Sequence, residues 1–512
     1  MVRQNNCRKI TSPQSLNARI KSICDIMRRS GRASALQYIP ELTWMLFLRL
    51  LDEKEEREAK QARTSGVDFT PSLIFPHRWR DWAVRPHSGM RIADFGLKSR
   101  ELQQKEKGAF LSFVNGELIP YLKNLRSKSD ATTRQKVIGE LFSFSEKTGI
   151  DSEGDLINII DQISAVSLNQ IDETHMFTLS QAYEGLLQKM GEKNNDGGQF
   201  FTPREIVRVM VKVVDPKIGE TLYDPCCGTG GFLAQSFIHM KEKAKKVDDL
   251  EILKRRTFYG REKESLVYPI ALANLLLHEI DEPHIWHGNA LTGLEFDGGL
   301  FRGAPELFDV ILTNPPFGGK EGKESQDRFR YKTSSTQVLF LQHVIDSLKP
   351  GGRCGIVVDE GVLFRINESA FVQTKRKLLN ECKLWCIVSL PTRIFVNAGA
   401  GSKTNLLFFT KGESTRKVWY YDLSDNNINK RHPLTFAHFD EFFKLLPERE
   451  ISKCSWDVSI DEVQAKNYDL KAVNPNREDK QDKRTPEELI SIIEAQSEEI
   501  RKALQTLKGR GL

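Results

Sequence analysis

Phe308-Asp309-Val310-Ile311-Leu312-Thr313-Asn314-Pro315-Pro316-Phe317 decides how this chain reads. The apolar run is short, rich in β-branched residues and stops at proline, the pattern of a buried parallel strand. Asn314-Pro315-Pro316-Phe317 then makes a stiff loop, because two prolines fix their φ angles and remove two N–H donors. An amide side chain, carbonyl acceptors and an aromatic face remain. That set suits a flat base with an exocyclic amine: the Asn314 side-chain oxygen and the Pro315 carbonyl each accept one N–H, and Phe317 stacks on the ring. Two fixed acceptors hold such an amine toward a tetrahedral geometry and free its lone pair for attack. No side-chain nucleophile is needed, and no cysteine is expected near the loop, which argues against cytosine-C5 chemistry and its covalent thiolate. The plain alternative is a proline-capped strand end.

Upstream, further polar residues recur at strand ends. Glu220-Thr221-Leu222-Tyr223-Asp224-Pro225-Cys226-Cys227-Gly228-Thr229-Gly230-Gly231-Phe232-Leu233 reads as a strand to Asp224, a glycine turn, and a helix from about Phe232. The glycines let backbone approach a ligand closely, although Gly-x-Gly-Gly is not the dinucleotide-binding Gly-x-Gly-x-x-Gly. Thr257-Phe258-Tyr259-Gly260-Arg261-Glu262 reads as a second strand ending in an acid. Such an acid serves either two ribose hydroxyls or the start of a helix. Pro283 to Ala290 gives a third strand, with Asn289 at its end. Ahead of them, Gln199-Phe200-Phe201-Thr202-Pro203-Arg204-Glu205 predicts a helix start, with Thr202 as N-cap, Pro203 in first place and Glu205 completing a capping box. Open α/β sheets bind ligands at the C-terminal ends of their strands, and that shared position argues for one site.

Downstream, Gly318 to Lys332 is polar and basic, either a DNA-facing loop or a merely solvated one. A helix (336–348) and a strand (353–358) continue the alternation, and 386–390 with 404–410 read as a closing antiparallel hairpin. Beyond 425 the pattern weakens. In front, residues 1–170 read as an all-α domain: two helices over 15–60, an irregular stretch that packs Trp79 and Trp82 inward, then helical patterns to 192, including Met176 to Met190. The charge run Asp52 to Glu56 reads as a solvated helix end. An α/β domain spans 171–475, and 476–512 hold a polar linker and an amphipathic helix whose stripe includes Leu489, Ile493, Ile500, Leu504 and Leu507. That stripe needs a cover, from its own domain or, as favoured here, from a partner.

Composition bounds the rest. With 512 residues, 39% hydrophobic and 28% charged, the chain has material for several domains with real cores. It lacks an 18-residue apolar run and an apolar leader, so a cytoplasmic location without membrane contact is expected. Eight scattered cysteines without metal spacing read as reduced, with no metal site. A net charge of +6 permits nucleic-acid binding.

The glycine turn, the acidic strand end and Asn-Pro-Pro-Phe, in this order, resemble the adenine-N6 DNA methyltransferases, and most of all the modification (M) subunits of Type I restriction–modification systems. Gln199 to Pro203, Asp224 to Phe232, Asn314 to Gly319, Leu348 to Gly352 and Leu390 to Phe395 all look like that family's blocks. The resemblance implies a Rossmann-like S-adenosylmethionine-dependent methyltransferase fold with S-adenosylmethionine as methyl donor. Gln199, Phe200, Phe201, Thr202 and Pro203, with Cys226, Gly228, Thr229, Gly230, Gly231 and Phe232, would surround its methionine part. Asp224 would approach its amine, Glu262 its ribose, and Asn289 with Ala290 its adenine. Asn314, Pro315, Pro316 and Phe317 would hold the flipped target adenine, whose unstacking costs a few kcal/mol. The family also implies double-stranded DNA, a specificity (S) subunit flanked by two M chains, and a restriction (R) subunit. Two departures stand out: Asn289 is an amide where many relatives of the wider superfamily carry an acid, and Asp359 stands where proline is expected.

Two other readings remain open at this stage. Asn-Pro-Pro plus an aromatic also occurs in enzymes that methylate other planar amines, such as RNA adenine or a protein glutamine. The same fold can also serve as a catalytically silent DNA-binding scaffold.

Overall fold

The computed structural model describes residues 13–30, 35–83, 108–164, 202–293, 299–392, 394–395, 403–424, 428, 432–471, 473–476 and 486–508. The predicted helix from Met176 to Met190, and Gln199, Phe200 and Phe201, lie outside them.

The strand ending at Thr313 sits near the centre of a nine-stranded sheet. In chain order the strands are β1 (Leu222–Asp224), β2 (Phe258–Glu262), β3 (His284–His287), β4 (Phe308–Thr313), β5 (Leu348–Asp359), β6 (Cys382–Ser389), β7 (Thr404–Lys411), β8 (Lys417–Asp422) and β9 (Ser455–Ser459). Their spatial order is β3-β2-β1-β4-β5-β7-β6-β8-β9. The first five run parallel, and β7 enters antiparallel between β5 and β6, with Ser389 opposite Asn405. β4 is buried on both faces: Val310 and Leu312 join one apolar cluster, Phe308 and Ile311 the other. That is why the run carries no polar alternation.

Past the predicted hairpin the sheet gains two more strands, β8 before 425 and β9 beyond it, where the sequence pattern fades. β8 pairs parallel with β6, and β9 closes the edge antiparallel to β8. β9, Ser455-Trp456-Asp457-Val458-Ser459, is a five-residue edge strand whose only apolar residues are Trp456 and Val458, so it leaves a weak apolar signal.

The N-terminal region is helical: α1 (Pro13–Arg29), α2 (Ala35–Thr64), a helical stretch over 109–127 that widens to a π turn at Val114–Leu118, α3 (Thr133–Leu141) and α4 (Glu153–Ser164). Trp79 and Trp82 are fully buried, as expected. The charged end of α2 is not a solvated face. Asp52, Glu53 and Glu55 are buried. Arg80 donates to Asp52 at 2.8 Å and the Ser72 amide to Glu55 at 3.0 Å. Lys54 reaches out of this region to the Leu276 carbonyl at 3.1 Å, while Arg134 bridges Glu58 and Asp281 at 2.7 and 3.0 Å. These ions persist in the interior because each has a partner.

Flanking the sheet are α5 (Arg204–Val214), α6 (Gly231–Lys241), α7 (Val247–Arg255), α8 (Tyr268–Leu277), α9 (Thr336–Ser347) and α10 (Ser369–Glu381); α11 (Pro486–Lys508) forms the tail. α2 and α3 pack on α8. Along α11, Ile490, Ile493 and Ile500 are exposed. Asp359, where proline was expected, caps the short helix Glu360–Phe364 by accepting from the Gly361 amide at 2.6 Å. No helix among the described residues is long and apolar enough to cross a membrane.

Candidate active site

The sheet changes direction of winding between β1 and β4, and the ends of these two neighbours open a crevice there. One cavity of about 280 Å³ fills that crevice. Thr202, Asp224, Cys226, Gly228, Thr229, Gly231, Phe232, Glu262, Asn289, Ala290, Asn314 and Pro316 all line it. Pro203, Gly230, Pro315 and Phe317 do not. Gly230 lies at the start of α6 with φ 80°, where an added Cβ would press on Leu275 at 3.2 Å. Pro315 is buried, and Phe317 meets Phe395 edge-on at 5.4 Å.

The two strand-end carboxylates are bound by the chain itself. Asp224 accepts from the Thr313 hydroxyl at 2.7 Å and from the Cys226 amide at 3.2 Å. Glu262 accepts from the Gly228 amide at 2.9 Å and from the Glu264 amide at 2.7 Å. Burial still outweighs these bonds and pushes each acid up to about 7. Two buried acids displaced this far in one crevice mark a candidate functional site.

Asn314 differs from both acids. Its Nδ2 donates to Thr202 Oγ1 at 3.0 Å, which fixes the amide plane. Its Oδ1 is buried and accepts nothing. A buried acceptor without a donor is costly, so it points to a group that is meant to arrive. Next to it, the Pro315 carbonyl receives a long bond, 3.5 Å, from Gln337 Nε2, and its second lone pair is left over.

Two expectations need correcting. α5 starts at Arg204 with Pro203 at the cap and no capping side-chain bond, so Thr202 is not the N-cap; its hydroxyl is committed to Asn314 instead. A cysteine does lie beside the Asn-Pro-Pro-Phe loop: Cys226 Sγ is 3.0 Å from Thr313 Oγ1, because β1 and β4 are neighbours. Burial raises that thiol well above its ordinary value, so it stays protonated and is no thiolate nucleophile.

Several participants carried no signal of their own. Thr313 ties Asp224 to the loop, and Asn274 donates to the Thr229 carbonyl at 2.9 Å, bracing the glycine turn from α8. Gln337 also accepts from the Asp359 amide at 3.0 Å, so it joins the loop to the end of β5. The basic segment after Phe317 is folded back. Arg328 donates to the Ala290 carbonyl at 2.9 Å, and Gln342 pins Tyr331 through both its amide and its carbonyl.

Comparison with known proteins follows the same lines. Residues 174–484 match the N-6 DNA Methylase family model. The chain belongs to that family. Residues 16–163 match the HsdM N-terminal domain. The chain is 34% identical to the Type I restriction enzyme EcoEI methylase subunit of Escherichia coli, over 97% of this chain and 98% of that one. It is 30% identical to the EcoKI methylase subunit of E. coli K12, over 85% of this chain and 76% of that one. A solved chain from work on complex assembly and conformational transition of the type I R-M system superposes with a TM-score of 0.71 at 35% identity, covering 98% of both chains. As a member of this family the chain is a DNA methyltransferase specific for the N6 amine of adenine, with a mixed α/β sheet behind a helical N-terminal region.

Proposed function

We propose that this chain is the modification subunit of a Type I restriction–modification enzyme. In this reading it transfers methyl from S-adenosylmethionine to N6 of an adenine flipped out of duplex DNA, with sequence choice supplied by a specificity subunit. The observation that carries the reading is the empty buried acceptor of Asn314 at the mouth of a crevice holding two desolvated carboxylates.

The residues present fit that cofactor. Asp224 is a carboxylate for its ammonium, Glu262 an acceptor for its ribose, and the glycine turn a close-fitting wall. When bound, the cofactor supplies a methyl group activated on a sulfonium. The chain's own part is to place and prepare the amine. Asn314 Oδ1 and the Pro315 carbonyl each accept one N6–H, hold the nitrogen pyramidal and turn its lone pair toward the methyl. Gln337 and Thr202 keep the two acceptors in position. With the cofactor bound, attack by the nitrogen lone pair would form the N–C bond as the methyl–sulfur bond breaks, leaving a neutral thioether, and the cationic nitrogen would shed one proton to solvent. Phe317, supported edge-on by Phe395, offers its face to the base, and base–aromatic stacking returns about 1–3 kcal/mol of the unstacking cost.

The wider organisation follows the same reading. The N-terminal region, 1–170, clamps DNA and contacts neighbouring subunits, 171–475 form the methyltransferase domain, and the tail helix docks its exposed Ile490, Ile493 and Ile500 on the specificity subunit. Two such chains flank one specificity subunit, a restriction subunit adds cleavage, and the complex works in the cytoplasm. The test is methyl transfer from labelled S-adenosylmethionine to unmodified DNA, with and without the cognate specificity chain, followed by nucleoside analysis. N6-methyladenine that depends on the specificity chain is the expected result. Label in RNA or protein, or cofactor binding without any turnover by the assembled complex, would overturn it.

A further inference from the structure

Asn289 is poorly suited to the whole task that its position implies. The Watson–Crick edge of an adenine presents one donor, the 6-amine, beside one acceptor, N1. Asn289 Oδ1 already accepts from the Leu291 amide at 3.0 Å, which turns its Nδ2 toward the segment after Asn-Pro-Pro-Phe. There Nδ2 meets Glu321 Oε2 at 3.1 Å. Glu321 is held in place: its backbone amide donates to the Ser334 carbonyl at 2.9 Å, and Gln326 Nε2 donates to its carbonyl at 2.8 Å. Thr336 Oγ1 and Ser325 Oγ donate to its carboxylate at 3.3 and 3.4 Å. Both Asn289 and Glu321 line the same cavity as Asp224 and Glu262.

We propose that Glu321, delivered by the loop that follows the target-base motif, is the acceptor for the 6-amine of the cofactor's adenine, with Asn289 Nδ2 as the donor to its N1. The inference rests on the cofactor reading above. It assigns the acid missing at position 289 to a residue 32 positions away in sequence but one hydrogen bond away in space. A donor–acceptor pair so arranged complements adenine and opposes a 6-oxopurine, which presents a carbonyl to the carboxylate and an N1–H to the amide. The same loop carries Asn314 at its start, so filling the adenine pocket and ordering the target-base loop become linked events.

The test is calorimetric binding of S-adenosyl-L-homocysteine and S-inosyl-L-homocysteine to the full-length wild-type chain and to its Glu321→Gln and Glu321→Ala variants, with melting curves for each. Wild type should prefer the adenosyl compound by about 10- to 100-fold, the range of one hydrogen bond to a charged group. Glu321→Ala should lose most of that preference. Glu321→Gln, whose amide can turn its NH₂ toward a 6-oxo group, should narrow or invert it. Glu321 variants that weaken both compounds equally, with the preference intact, would show that it merely anchors the loop and would overturn the inference. Wild type that binds neither compound would overturn the underlying cofactor reading instead, a separate outcome.

Discussion

The turn after β1 and the loop after β4 lie side by side, yet they are prepared in opposite ways. Asp224 and Glu262 each accept two hydrogen bonds from the chain itself, while Asn314 Oδ1 accepts none. The acids pre-form their pocket and bear the cost of desolvation as raised proton affinity. The amide leaves an acceptor vacant, and its geometry is fixed from the other end by Thr202. On the proposed reading, a pre-formed pocket for the cofactor and a vacant acceptor for the base suit two ligands of different tenure. One small molecule is exchanged each turnover, and one base must be pulled from a stacked duplex only when the site is right.

This contrast can be broken from either side. Asn314→Ala removes the vacant acceptor and should lower methyl transfer by about 10³-fold, at the upper end for loss of one preorganised group, as read in single-turnover assays. Glu262→Ala should weaken cofactor binding by about 10- to 100-fold in calorimetry, the range for hydrogen bonds to a charged group, with a smaller effect on kcat at saturating cofactor.

The pH dependence sharpens the same point. Asp224 and Glu262 are pushed up to about 7 by burial, so the folded chain holds protons that the unfolded chain has released. Their contribution to stability is therefore lost as pH rises from the ordinary carboxylate range through about 7. Buried His278, pushed down to about 4, works the other way below its ordinary value of 6.5. Buried His343, pushed down to about 3, acts with His278, and Lys375, pushed down to about 8, also opposes the acids, so the share of the two carboxylates is read from variants at those positions. Cofactor affinity should rise between about pH 6.5 and 7.5 as the two carboxylates ionise, and Asp224→Asn should flatten the rise while raising the melting temperature of the ligand-free chain at pH 8 by on the order of 2 °C. The smallest effect belongs to the tail: removing 486–512 should leave the melting temperature within about 1 °C, because surface changes away from packed features cost little, yet it should release the specificity chain in size-exclusion chromatography.

How much was legible in the sequence follows from where each interaction lies. Asp224, Glu262 and Asn314 could be placed because each stands at or just after the end of a short, largely apolar strand followed by a turn. Contacts between neighbouring strand ends could not be read without the strand order. Cys226 lies against Thr313 only because β1 adjoins β4. Glu321 and Gln337 were silent for a related reason. A polar residue in a basic loop and a glutamine one position into a helix look solvated until the loop folds back over Asn289 and the Pro315 carbonyl. The charges at the end of α2 were misread as a free surface because their partners, Ser72, Arg80 and Leu276, are remote in sequence. Short edge strand β9 gives little signal because only Trp456 and Val458 of its five residues are apolar.

The most direct test of this division of labour sets Asn314→Ala beside Glu262→Ala in the same assembled complex, with cofactor Kd and N6-methyladenine formation measured on each preparation. The expected result is a double dissociation: Asn314→Ala keeps the Kd within about twofold, a shift well below one hydrogen bond's worth, and forms product about 10³-fold more slowly, whereas Glu262→Ala raises the Kd and recovers much of its turnover when cofactor is in excess. Loss of cofactor binding in Asn314→Ala, in step with its loss of methylation, would contradict the account and return the vacant acceptor to the cofactor's side of the crevice.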